Sequence, residues 1–132
     1  MQIPIIVINL DRDVARMAHM ETQLRKLGLS FTRFAAIRGD ALPACLQPYF
    51  PEATPLKAGE IGCYASHLMI MKRLADAQVS SPVLVLEDDV ALPGDLAHAL
   101  RAIQHALPSD WDIVRLSNAT KRVTRLIAPL GN

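Results

Sequence analysis

Val83-Leu84-Val85-Leu86 runs directly into Glu87-Asp88-Asp89, and that junction limits what the chain can become. Four consecutive large aliphatics, β-branched at Val83 and Val85 and opened by Ser81-Pro82, fit a strand buried on both faces of a parallel sheet. Three adjacent carboxylates at its end repel one another and resist desolvation, so they call for a compensating cation or hydrogen-bond donors. Alternation along a strand puts Glu87 and Asp89 on one side and Asp88 on the other, which makes Glu87 and Asp89 the candidate pair for one ion. Carboxylate oxygens suit Mg²⁺ or Mn²⁺, which typically take one or two protein carboxylates plus substrate phosphates. In open α/β sheets ligands lie beyond the carboxyl ends of the strands, where these acids fall. The plainer reading makes them a solubilising strand end, with Asp89 capping the next helix.

The preceding chain has the same grammar. Ile3 to Leu10 is a second apolar run that turns polar at Asn9. Asp11-Arg12-Asp13 then opens a helix with Val14, Met17, Leu24 and Leu27 as its stripe, acids in its first turn, Arg25 and Lys26 in its last, and Gly28 as its stop. Leu29 to Ala35 reads as a strand, with Phe31, Arg33 and Ala35 on one face, before the Arg38-Gly39-Asp40 turn. Pro43, Pro48, Pro51 and Pro55 make 41–56 a surface loop with room for one short turn. Helical patterning resumes near Gly59 and runs to about Ala77, with Ile61, Ala65, Leu68, Lys72 and Ala75 along one side. After the acids, Pro93 suits a first turn, and Leu96, Leu100, Ile103 and Leu107 mark a helix ending before Pro108. Trp111 to Leu116 is a further strand candidate, and 117–132 is an irregular tail without a clear period. Strands alternating with helices predict an α/β domain, a mostly parallel sheet with helices on both faces.

Composition narrows the function. A chain of 132 residues reads as one domain, and a formal net charge of +1 offers no field for nucleic acid or an anionic membrane. Aromatics at 5% provide no stacking platform for single strands. Cys45 and Cys63 are too few for a disulfide framework, with room for one optional bridge, and they fit a reducing compartment. The apolar N-terminal run carries Pro4, lacks a basic flank and is too short to span a membrane, so a cytoplasmic location is expected.

Neither a glycine-rich dinucleotide fingerprint nor a GK[ST] phosphate loop occurs, so binding a diphosphate would require a metal. In Gly59-Glu60-Ile61-Gly62 through Ser66-His67, Glu60, Tyr64 and His67 fall near one helical face. Cys63 and His67 are four apart, but two ligands without a second pair are a weak zinc signal. Val-Leu-Glu-Asp-Asp also invites comparison with phosphoacceptor receiver domains. Their acid pair follows the first strand, whereas here the acids come two-thirds of the way along, with too little chain left for the strands that should follow.

Ile5 to Arg12, Phe34 to Gly39, Lys57 to His67, Val83 to Val90 and Trp111 to Leu116, in this order, resemble glycosyltransferase family 25, the bacterial lipooligosaccharide galactosyltransferases and their collagen-modifying relatives. The resemblance implies a GT-A-like fold in which Glu87-Asp88-Asp89 stands for the acidic motif that holds Mn²⁺ or Mg²⁺ on a UDP-sugar diphosphate. It further implies that Asn9, Leu10, Arg12 and Asp88 face the donor, with Glu60, Ser66 and His67 touching its sugar or phosphate. The implied reaction is inverting transfer of a hexose such as galactose to a lipooligosaccharide-like acceptor, at most peripherally at the inner face of a membrane. Relatives generally continue past the Trp-Asp-Ile-Val segment, so the chain is expected to be truncated at its C-terminus, with the catalytic base and most of the acceptor site in the absent half. An apolar edge left where that half should pack would favour a homodimer. The competing expectation is a nucleotide-sugar-binding module without turnover.

Overall fold

A computed structural model describes residues 3–108 and 110–116. Their contacts divide into two compact units, 1–92 and 93–132. The irregular tail expected at 117–132 lies outside the described residues.

The first unit holds a three-stranded parallel sheet in the order β2-β1-β3. Strand β1 (Ile5–Asn9) is central, and its apolar run is explained by cover on both faces: Ile5, Val7 and Asn9 on one side and Ile8 on the other are all buried. Strand β2 (Thr32–Ala35) pairs Val7 with Arg33 and Asn9 with Ala35, and β3 (Leu84–Glu87) pairs Val7 with Leu86 and Ile8 with Glu87. Both are shorter than the sequence pattern predicts. Burial on both faces belongs to β1 rather than to β3, whose Val85 and Leu86 are half-buried because β3 has β1 on one side and no strand on the other among the described residues.

Helix α1 (Val14–Lys26) starts after Asp13, which holds the N-cap position without a side-chain cap bond, so the acids precede its first turn instead of lying in it; Arg25 and Lys26 close it, and Gly28 takes φ +66° at its stop. Its buried residues are Met20 and Leu24, whereas Val14 is 70% exposed. At about 100° per residue Met17, Met20, Leu24 and Leu27 share a sector about 80° wide, and Val14 falls about 60° outside it.

Helix α2 (Ala58–Asp76) buries Gly62, Ala65, Ser66 and Ile70, a face of mostly small residues rather than the aliphatic stripe expected from Ile61, Leu68 and Lys72. Small residues let the helix approach the 37–39 segment closely. A Cβ at Gly62 would lie 2.6 Å from the Ile37 carbonyl oxygen, and one at Gly39 would overlap the Ala58 carbonyl oxygen. The Ser66 hydroxyl fastens this contact, accepting from the Ile37 N–H at 2.9 Å and donating to the Gly62 carbonyl at 2.7 Å. At the helix start the Glu60 carboxylate accepts the Lys57 N–H at 2.8 Å, which satisfies a free end group. Towards its end Arg73 lies over the Phe34 ring of β2, 5.2 Å from the centroid.

The proline-rich loop contains one turn of 3-10 helix, Gln47–Tyr49, and is anchored by fully buried Leu46. Phe50 meets Tyr64 of α2 edge to face at 5.3 Å. In the second unit, α3 (Leu96–Ala106) has Asp95 as its N-cap and buries Leu96 and Leu100, as the spacing predicts. Trp111 to Leu116 is not a strand: Ile113 is 72% exposed and no described strand pairs with the segment.

Two glycine substitutions test the close approach. Gly39→Ala should lower stability by about 1–3 kcal/mol, because the added methyl meets backbone that cannot move aside. Gly59→Ala, with nothing within 4 Å of the new Cβ, should leave stability unchanged or raise it by up to about 1 kcal/mol. Urea unfolding midpoints at unchanged m-value compare the two.

Candidate functional site

The polar residues gather where β1 and β3 end. Parallel pairing ends at Ile8–Glu87, and the next residues of the two segments, Asn9 and Asp88, are joined through their side chains. Asn9, 2% exposed, donates from its amide nitrogen to Asp88 Oδ2 at 2.6 Å and to the Asp13 carbonyl at 3.0 Å. Its amide oxygen accepts from Arg33 Nε at 2.9 Å. Arg33 continues to the Asn9 carbonyl at 3.1 Å and to Asp11 at 2.6 Å. From α1, Arg16 Nη1 reaches Asp88 Oδ1 at 3.4 Å and stands 3.9 Å from Asp89 Oδ2. The buried Asp88 carboxylate therefore has a donor on each oxygen, which is how a sheet end can tolerate it.

Glu87, one residue earlier, turns to the opposite face and meets α2. Its Oε1 accepts from Cys63 Sγ at 3.2 Å and lies 3.1 Å from His67 Nε2. The acids are thus divided between the two helices, α1 taking Asp88 and α2 taking Glu87, so helices do lie on both faces of the sheet. Strand alternation ends at Glu87, because Asp88 and Asp89 form a turn. Asp89 leans towards Arg16, and its charge is also felt at Cys63.

The electrostatics follow from these contacts. The hydrogen bond with His67 holds the Glu87 carboxyl below the usual glutamate range, assisted by the Cys63 thiol and opposed by partial burial. With its folded pKa depressed, Glu87 contributes stability above the ordinary glutamate pKa, and this is lost as pH falls through the folded value. Cys63 moves the other way: burial, then the hydrogen bond to Glu87 and the charges of Glu87 and Asp89, push its thiol up to about 11. Neither Cys63 nor Cys45 is in a disulfide.

The other expected donor residues are distributed unevenly. Arg12 has its side chain 82% exposed, with only a 4.0 Å approach to Asp13. Leu10 is half-buried, and its carbonyl accepts the Asp13 N–H in the turn into α1. Ser66 is fully buried with its hydroxyl engaged by backbone, and Glu60 caps α2, so both serve the chain's own fold. Sequence reasoning missed Arg16 and the structural part of Arg33. Arg16 follows the acid-rich turn by one helical step, but nothing in its spacing says that it reaches a carboxylate 72 residues away.

The glycosyltransferase family 25 model, described as an LPS biosynthesis protein family, matches residues 2–128. A glycosyltransferase 25 family member of Drosophila pseudoobscura pseudoobscura is 33% identical over 116 residues, covering 77% of this chain and 18% of the relative. Human procollagen galactosyltransferase 2 is 28% identical over 98 residues, 72% of this chain and 15% of the relative. Procollagen galactosyltransferase 1-B of Xenopus laevis is 27% identical over 135 residues, 90% and 22% respectively. The chain thus spans less than a quarter of the length of these relatives.

Asn9→Leu should destabilise the fold by about 2–4 kcal/mol, since it leaves the buried Asp88 carboxylate short of a donor and Arg33 short of an acceptor. Asp88→Asn, which keeps an oxygen for Asn9, should cost less, and chemical denaturation ranks the two. In chelator-treated protein, alkylation of Cys63 followed by peptide mass spectrometry should have a midpoint near pH 11, and Glu87→Gln should move it downward.

Proposed function

The chain belongs to glycosyltransferase family 25, and from that membership we propose that it forms the nucleotide-sugar-binding part of a hexosyltransferase that takes galactose from a UDP-sugar. The observation that carries this reading is the division of the acids at the sheet's carboxyl end. Asp88 is clamped by Asn9 and Arg16, while Glu87 and Asp89, with side chains 47% and 57% exposed, stand open to solvent on either side of it.

The donor set fits Mn²⁺ or Mg²⁺, which need only one or two protein carboxylates when a diphosphate supplies the remaining oxygens. Glu87 and Asp89 would hold the ion, which when bound neutralises charge on the departing nucleoside diphosphate. Around them Arg16, its side chain 57% exposed, and the more exposed Arg12 add cationic donors suited to phosphate oxygens. Asn9 and Asp88 act one step back, fixing the two strand ends from which Glu87 and Asp89 project. His67 holds Glu87 on its other side.

Inverting transfer requires a base to take the acceptor hydroxyl's proton as that hydroxyl attacks the anomeric carbon. We assign this step to a part of the enzyme beyond the described residues. The family description supports an acceptor saccharide of the lipopolysaccharide kind; assembly at the inner face of a membrane, with at most peripheral attachment of the enzyme, belongs to the same proposal. The names of the animal relatives support galactose as the sugar. Among the described residues no helix is long and apolar enough to cross a membrane. A homodimer covering an apolar edge remains part of this reading.

Calorimetric titration with UDP should show binding that requires Mn²⁺ and disappears with EDTA. Asp89→Ala should reduce it at least about tenfold with unchanged circular dichroism. Equal affinity in that variant would remove Asp89 from the donor site. Hydrolysis of UDP-galactose separates a transferase part from a module that only binds.

A further inference from the structure

Glu87 has a second set of neighbours to which the donor reading gives no metal-binding role. Cys63 and His67 lie one turn apart on the same face of α2, and both aim at the same carboxylate oxygen at the end of β3. Cys63 Sγ, a His67 ring nitrogen and a Glu87 oxygen all lie within 4.8 Å of one another, and no other group of three such side chains among the described residues does so. Bond lengths of about 2.3 Å to sulfur and about 2.0 Å to nitrogen or oxygen place the ligand atoms of a tetrahedral ion about 3.2–3.6 Å apart. The contacts of 3.2 Å and 3.1 Å to Glu87 fall within a few tenths of an ångström of that spacing, and the whole trio stays within 4.8 Å.

The donor types determine the class of ion. Thiolate, imidazole and carboxylate together suit a borderline-soft cation such as Zn²⁺, whereas an all-oxygen shell suits Mg²⁺ or Mn²⁺. Sequence spacing offered only Cys63 and His67, because the third donor arrives through the fold from 20 residues beyond His67. All three residues are partly open to solvent, so a fourth position would face water or a ligand.

We propose that Cys63, His67 and Glu87 bind one Zn²⁺-class ion through sulfur, nitrogen and oxygen, with the fourth position open, pinning α2 to the end of β3. As the ion binds, the thiol proton passes to solvent and the metal–sulfur bond forms. The site shares Glu87 with the pair proposed for the donor's ion but does not use Asp89, and Cys63 and His67 are not ligands in that pair, so the two readings can be tested apart.

Anaerobic titration of the chelator-stripped chain with Co²⁺ tests the site. The expected result is a thiolate-to-cobalt charge-transfer band in the near ultraviolet, with intense tetrahedral visible bands, saturating at one equivalent and abolished by Zn²⁺. Cys63→Ser should remove the charge-transfer band, His67→Ala should weaken binding by about tenfold or more, and Cys45→Ser should change neither. With wild-type protein, which avoids any misfolding of variants, Zn²⁺ should protect Cys63 but not Cys45 from alkylation. No charge-transfer band in folded wild-type protein, a band that survives Cys63→Ser, or alkylation of Cys63 unaffected by Zn²⁺ would each overturn the proposal. Asp89→Ala should keep the cobalt spectrum while losing Mn²⁺-dependent UDP binding, and Cys63→Ser the reverse, so the two readings fail separately.

Discussion

The hydrogen bond between Asn9 and Asp88 is the constraint on which the polar end of the sheet depends. A carboxylate 8% exposed at the edge of an apolar core is costly without partners, and Asn9 supplies the shortest of them while its other atoms hold Arg33 and the turn into α1. Because the amide and the carboxylate sit at adjacent ends of two parallel strands, the bond also fixes the register in which β1 and β3 terminate. Everything functional follows from that termination. Asp88 turns inward to α1, while Glu87, the last strand residue, meets α2, and Asp89 is left in the turn that follows.

The second constraint is steric. Helix α2 comes close enough to deliver Cys63 and His67 to Glu87 because its buried face is built from Gly62, Ala65 and Ser66, and because Gly39 opposite carries no side chain. The Ser66 hydroxyl bonding the Ile37 N–H converts that closeness into a fixed distance. Arg38-Gly39-Asp40, which reads only as a turn, therefore has a packing reason for its glycine. The adjacent Arg38–Asp40 ion pair, exposed at the surface, holds the Asp40 carboxyl below its ordinary range mainly through its hydrogen bonds.

Much of this was legible in the chain. Runs of aliphatics ending in polar residues identified β1 and β3, and the periodicity of 3.6 identified three helices to within a few residues, because burial imposes both patterns directly. The stripe of α2 was misread for the same reason. A face that packs by having almost no side chain leaves no hydrophobic signal, so Gly62 and Ser66 are absent from the expected stripe. The Trp111–Leu116 segment has strand composition, but a strand needs a neighbour to satisfy its backbone, and among the described residues it has none. Of the expected donor residues, Ser66 and Glu60 proved to be occupied by backbone, the Ser66 hydroxyl bonding back to the carbonyl four residues earlier and Glu60 accepting the N–H at the start of α2.

Residue type and period alone are enough to show that an acidic cluster ends an aliphatic strand of an α/β sheet, and that a cysteine and a histidine share a helical face, because each is a local consequence of the chain. They could not determine which acid serves which helix. Alternation assigned Glu87 and Asp89 to one side, and it ceased to apply once the strand gave way to a turn at Asp88. Only tertiary structure decided that Asp88 is enclosed by residues 79 and 72 positions distant, Asn9 and Arg16, and that Glu87 joins Cys63 and His67. Those pairings depend on strand register and helix approach, which are set by packing between segments far apart in the chain and leave no trace in the spacing of either segment alone.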